Sequence, residues 1–203
     1  MTGEWFAAGI EYLGVFACAV SGFRMAAAKR YDIFGAAVIG FATAVGGGTL
    51  RDVLIDRPVF WMQSPNYLVC TMASFLFYIL FRRQVVKFGE TILLFDTLGL
   101  AMFNMIGIKA ALGSGCGMLV AVIMGVVTGS AGGVIRDLLT QQPPLIFQKS
   151  ELYAVACLLG GATYAAGVAL GFHDIAVQIA AILVVIGVRT LSHARNVTLP
   201  YAP

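Results

Sequence analysis

Two short stretches hold most of the residues whose types and spacing could do chemistry. VGGGTLRD (45–52) and SAGGVIRD (130–137) each place a glycine run three residues ahead of an adjacent Arg–Asp pair. In a soluble enzyme such a run would suit a phosphate-binding turn, but no lysine of the GxxxxGKS kind follows either one. No Ser–His–Asp set accompanies them, and His173 and His193 lie far from both. Enzyme, metal-site and cofactor functions are therefore not expected. What remains is solute-path chemistry. Backbone carbonyls, hydroxyls and carboxylates can replace part of a cation's hydration shell, and an arginine beside a helix N-terminus can hold a carboxylate.

The elements that must position these residues are membrane helices. Of 203 residues, 60% are hydrophobic and only 11% charged, with a mean hydropathy of +0.90. Soluble domains carry about 25% charged residues. The net charge of +3 is not gathered into a patch, so a nucleic-acid partner is not expected. Cys18, Cys70, Cys116 and Cys157 fall one per apolar segment, which suits small hydrophobes packed between helices rather than a metal or disulfide set. A bilayer core takes about 20 apolar residues in a helix. Runs near that length occur at 5–28, 32–55, 66–81, 91–112, 116–139, 152–171 and 174–193. The expected fold is an all-α polytopic membrane protein with seven spans. The first is read as a retained span, because no basic residue precedes it and it is long for a signal h-region.

With the N-terminus outside, the inner loops carry Lys29, Arg30, Arg82, Arg83, Lys87, Lys149 and Arg195, whereas the outer loops carry only Arg57. The positive-inside rule then orients the chain N-terminus out and C-terminus cytoplasmic, in the cell inner membrane. Arg24 and Arg189, near span ends, are expected to snorkel to headgroups.

The two glycine stretches belong to one duplication. Arg51 matches Arg136, an offset of 85, and the same offset pairs Glu11 with Asp96, Gly14 with Gly99, Gly22 with Gly107, Arg24 with Lys109, Gly40 with Gly125, Thr43 with Thr128 and Pro58 with Pro143. Repeat 1 covers about 5–81 and repeat 2 about 91–171. The charged linker 82–90 joins them, and a seventh helix at about 174–193 is an addition. Three spans per copy forces the second copy to enter from the opposite side, giving an inverted 3+3 repeat.

Three glycines in a row in helix 2, and the equivalent pair in helix 5, predict a break or kink in both. The freed backbone groups would have to face protein or water rather than lipid. Gly14, Gly22, Gly40 and Gly125 are expected to serve close helix packing. The ion-path residues are then Gly46, Gly47, Gly48, Thr49, Arg51, Asp52 and Thr43 on helix 2, with Thr128, Ser130, Gly132, Gly133, Arg136 and Asp137 on helix 5. Ser21 and Asn104 are further polar neighbours. Intramembrane charges face the bundle interior, pair, or line water. Consecutive residues on a helix diverge by about 100°, so Arg51 need not pair with Asp52. A structural ion pair at the repeat interface and a pore-mouth carboxylate both fit. Lys109 is either a voltage-sensitive gate or a snorkelling charge.

With GGGTLRDVL, the following RPVFW, and AGGVIRDLL in a 3+3+1 plan, the chain resembles the prokaryotic members of the trimeric intracellular cation channel family along essentially its whole length. The resemblance implies a homotrimer in the lipid bilayer. Each protomer would hold a pore lined by kinked helices 2 and 5 and conduct monovalent cations, chiefly potassium. No cofactor is implied beyond permeant potassium or sodium ions. Two departures stand out. Only Lys109 occupies the place of the animal members' basic phosphoinositide motif, which argues against that regulation. Ala131 replaces the glycine that Gly46 supplies in repeat 1, so the second break should be milder. The same bacterial domain is also described as a glycine transporter. The alternative is therefore a secondary transporter of glycine or another small amino acid using the same parts.

Overall fold

A computed structural model describes residues 2–87, 91–148 and 152–197. Among the described residues eight α-helices follow one another: α1 (Thr2–Ala28), α2 (Ile33–Leu54), the single turn α3 (Phe60–Gln63), α4 (Asn66–Lys87), α5 (Thr91–Gly113), α6 (Met118–Leu139), α7 (Tyr153–Ala169) and α8 (Asp174–Arg195). Six are long and apolar enough to cross a membrane, and α7 is a shorter apolar helix of 17 residues. Helices 2 and 5 of the sequence reading are α2 and α6. The third span is longer than its apolar run, because Arg82, Arg83 and Gln84 are good helix formers and continue α4 to Lys87. Much of the expected linker is thus helix. Residues 88–90 and Lys149 lie outside the described residues. Val53, Leu54, Leu80, Leu119 and Leu183 are exposed on the bundle's flanks. A multi-pass membrane protein turns such a surface toward lipid.

The duplication recurs in the backbone at the offset of 85. Asp56 and Gln141, just past α2 and α6, share a left-handed conformation (φ 53° and 54°). The Arg57 amide donates to the Asp52 carbonyl at 2.8 Å, as Gln142 does to Asp137 at 2.8 Å. Ahead of each helix, Tyr31 N–H donates to Ala26 O and Cys116 N–H to Ala111 O. The caps differ, and the turn after each helix is α-helical at Phe60–Gln63 but 3-10 at Leu145–Phe147. The Asp32 carboxylate accepts the Gly35 amide at 2.7 Å, whereas α6 starts at Gly117 with no side-chain cap.

A full break at the glycines is absent: α2 and α6 each run as one uninterrupted helix. The glycines serve contact instead. A Cβ on Gly47 would strike the Thr128 carbonyl oxygen, and one on Gly132 would strike the Thr43 carbonyl oxygen. This contact is reciprocal, as a two-fold relation between the copies requires. Gly22 lies against Gly40 and Thr43, and its counterpart Gly107 against Gly125 and Thr128. Small residues let membrane helices approach backbone to backbone, so the helical hydrogen bonds are kept and no carbonyl has to be satisfied elsewhere.

Gly132→Ala should therefore lower the melting temperature of the purified protein in detergent by several degrees, since a backbone carbonyl cannot step aside. Gly187→Ala in α8, where nothing lies within 4 Å of the added methyl, should leave it unchanged or raise it.

Candidate functional site

Charge inside an apolar bundle must be neutralised locally. Each repeat does this first with its own neighbour. Arg51 Nε donates to Asp52 Oδ1 at 2.7 Å and Arg136 Nε to Asp137 Oδ1 at 2.8 Å. The second oxygen of each carboxylate fixes the chain that leaves the helix. Asp52 Oδ2 accepts the Phe60 amide at 2.8 Å, and Asp137 Oδ2 accepts the Leu145 amide at 2.9 Å. The pairs between neighbours thus form after all, because a guanidinium is long enough to fold back across one residue step.

Beyond these matched units the two ends diverge. At the Arg136 end, Asp96 on α5 accepts Arg136 Nη1 at 2.5 Å on one oxygen and Arg189 Nη1 at 2.8 Å on the other. Arg136 Nη1 also donates to Ser21 Oγ at 2.5 Å. The Tyr153 hydroxyl lies 3.4 Å from Asp96 Oδ1, and its ring sits 4.3 Å beneath the Arg189 guanidinium. Two arginines face two aspartates, and every member is buried. Arg189 therefore does not snorkel. It is 1% exposed and contributes a structural cation from α8. Arg24 is half-buried.

At the Arg51 end, the partner corresponding to Asp96 is Glu11, yet it accepts from the Tyr67 hydroxyl at 2.6 Å instead. Arg51 is 4% exposed, its Nη1 has no hydrogen-bond partner, and its guanidinium lies 5.4 Å from the Phe60 ring centre. A cavity of about 610 Å³ lies here, with Glu11, Arg51, Arg57, Lys109, Asp174 and Gln178 as its polar lining. Lys109 Nζ reaches Asp174 at 2.9 and 3.1 Å and Tyr164 Oη at 3.4 Å. Gln178 also donates to Asp174 at 2.7 Å.

Of the residues proposed from sequence, Arg51 and Lys109 line this cavity. Gly47 and Gly132 lie in the α2–α6 contact, where Gly46 faces Ile135. Gly48 abuts the Phe60 ring, and Gly133 abuts Tyr153 and Asp96. The hydroxyls of Thr43, Thr49, Thr128 and Ser130 donate to carbonyls four residues back on their own helices (2.6–2.8 Å), so only their lone pairs remain available. Thr49 uses one on the Trp61 indole at 3.0 Å. Asp52, Arg136 and Asp137 sit in the ion pairs. Sequence reasoning missed Asp96, Glu11, Arg189 and Asp174 as site members. A signal existed: an acid at the same repeat position in both copies, inside a span, needs a cation.

A family model described as Glycine transporter matches residues 9–83 and again 93–169, once per repeat. The chain is 42% identical over 158 residues to the UPF0126 inner membrane protein YadS of Escherichia coli K12, covering 77% of this chain and 76% of that one. It is 35% identical over 194 residues to a UPF0126 membrane protein of Deinococcus radiodurans, covering 94% and 89%. Among solved structures it resembles the TRIC trimeric intracellular cation channel orthologue from Rhodobacter sphaeroides, with a TM-score of 0.89 and 32% identity over 95% of this chain and 99% of that one.

Asp96→Asn should cost about 3–5 kcal/mol, because two buried arginines lose their shared carboxylate. Lys109→Gln removes a pair whose side chains are 43% and 49% exposed and should cost at most about 1 kcal/mol. Thermal melts of the two variants in one detergent compare them.

Proposed function

The chain belongs to the Glycine transporter family, and from that premise we propose that it is a membrane channel conducting monovalent cations, chiefly potassium, along α2 and α6 of each protomer. The observation that carries this reading is the fold shared almost end to end, at 32% identity, with the Rhodobacter sphaeroides cation channel orthologue. By the same likeness the working unit is a homotrimer in the cell inner membrane, and the distribution of basic residues orients it N-terminus outside. The pathway runs past Thr43, Gly46–Gly48, Thr49, Arg51 and Asp52 on α2, and Thr128, Ser130, Gly132, Gly133, Arg136 and Asp137 on α6.

In the present state the two helices touch at Gly47 and Gly132 and the Arg136 end is packed shut, so this is a closed conformation. The cavity beside Arg51 is its outer vestibule. Lys109, latched to Asp174 across the vestibule wall, is the candidate gate. Its charge would feel the membrane potential, worth about 2.3 kcal/mol per 100 mV for full translocation.

A second reading is favoured by one observation. Arg51 and Glu11 both line the vestibule, a pairing of opposite charges able to hold the two ends of a small amino acid. A carrier of glycine would use that site.

Planar-bilayer recording of the purified protein in asymmetric potassium chloride separates the two readings. The channel reading expects discrete steps reversing near the potassium potential, reduced by Gly47→Leu, altered by Asp52→Asn and changed in voltage dependence by Lys109→Gln. A silent bilayer together with saturable glycine uptake into proteoliposomes, abolished by Arg51→Ala, would overturn it in favour of the carrier.

A further inference from the structure

The same lock is present twice and closed once. Arg136 joins the carboxylate of Asp96 on α5, whereas Arg51 and its equivalent carboxylate, Glu11 on α1, form no ion pair. A cavity of about 610 Å³, lined by both residues, lies where that pair is missing. We propose that Arg51 and Glu11 are an outer gate, the open counterpart of the closed Arg136–Asp96 gate, and that the two are coupled so that parting the inner pair draws the outer pair together.

Two observations carry this inference. First, the unused groups are the ones the outer lock needs. Arg51 Nη1 is buried without an acceptor, and Glu11 is held off by a single tyrosine hydroxyl at 2.6 Å. Arg136 Nη2 also lacks a partner, but the rest of that guanidinium is committed to two carboxylates and Ser21. Second, the arms share a fulcrum. Each arginine lies four residues beyond the glycine that touches the opposite helix, Gly47 for Arg51 and Gly132 for Arg136. A rocking motion about that contact moves the two arms in opposite senses. Inverted repeats rock or gate one against the other around the site between them, and on that ground repeat 1 is taken to reach the locked arrangement that repeat 2 shows here. The inference rests on the reading that α2 and α6 line the path; conduction then belongs to the intermediate in which both pairs are parted and carriage to the case in which they never are, so the coupling itself concerns conformation and not which solute passes.

The test follows the accessibility of the vestibule in the purified full-length protein in detergent. The four native cysteines are replaced and Ala110, on the vestibule wall, is changed to Cys; its rate of reaction with a bulky charged maleimide is then measured. Tyr67→Phe frees Glu11 and should slow labelling by about fivefold or more, the lower range of typical couplings between sites. Asp96→Asn, which opens the inner lock, should slow it as well. Ser21→Ala loosens Arg136 more gently and replaces Asp96→Asn should that variant fail to fold. Adding Glu11→Gln to either background should restore the fast rate, which a merely misfolded protein would not do. Unchanged labelling in Tyr67→Phe overturns the outer gate, and unchanged labelling in the folded inner variants overturns the coupling. Because no solute flux is read, a protein silent in bilayers would count against conduction and leave this result intact.

Discussion

The contact between Gly47 and Gly132, across the axis that relates the two repeats, is the constraint on which the rest of the structure depends. Each glycine admits a backbone carbonyl of the other helix where a methyl group would collide. That closeness holds α2 and α6 together along their middles, and it fixes where the residues that follow must lie. One turn beyond the contact, the helix has carried its next side chains to opposite ends of the bundle. Arg51 and Arg136 are therefore placed by the glycines, and their separation follows from the two-fold relation between the copies.

An arginine placed there cannot be left alone. The adjacent aspartate neutralises it with one oxygen and uses the other to accept an amide eight residues on, Phe60 in one copy and Leu145 in the other. The Arg–Asp dipeptide thus serves charge balance and chain reversal together. A shared hydrogen-bond network of this kind is worth more in a low-dielectric interior than at a wet surface. This accounts for the motif as a unit in each repeat. The glycines set the approach, the arginine occupies the site, and the aspartate neutralises it while anchoring the returning chain.

Much of this plan was legible in the sequence, because it is written in periodic and local terms. The apolar runs gave the spans, and the constant offset of 85 gave the repeat and its inversion. The adjacent charges marked the buried site. What escaped was non-local. Glycine runs are compatible with both a broken helix and a close-packed one, and only the opposing backbone decides between them. Arg189 looked like a span-end charge because nothing near it in sequence reveals Asp96, 93 positions away. The Lys109–Asp174 pair likewise joins α5 to α8 across 65 positions.

The helix outside the repeats explains why two equivalent ends differ. Six spans in perfect two-fold relation would hold both locks with equal strength, and neither end would be preferred. α8 packs against α5 and α7, in repeat 2. Near its end it gives Arg189 to Asp96, and at its start it gives Asp174 to Lys109. A helix of 22 residues, about 33 Å long, thereby grips α5 at both ends, and among the described residues nothing equivalent grips α1. Asp96 gains a second cation, while Glu11 among the described residues keeps a tyrosine hydroxyl. The buried ion-pair cluster lies at the Arg136 end, and the other end is hollow. The seventh span makes the two ends of an otherwise repeated scaffold unlike.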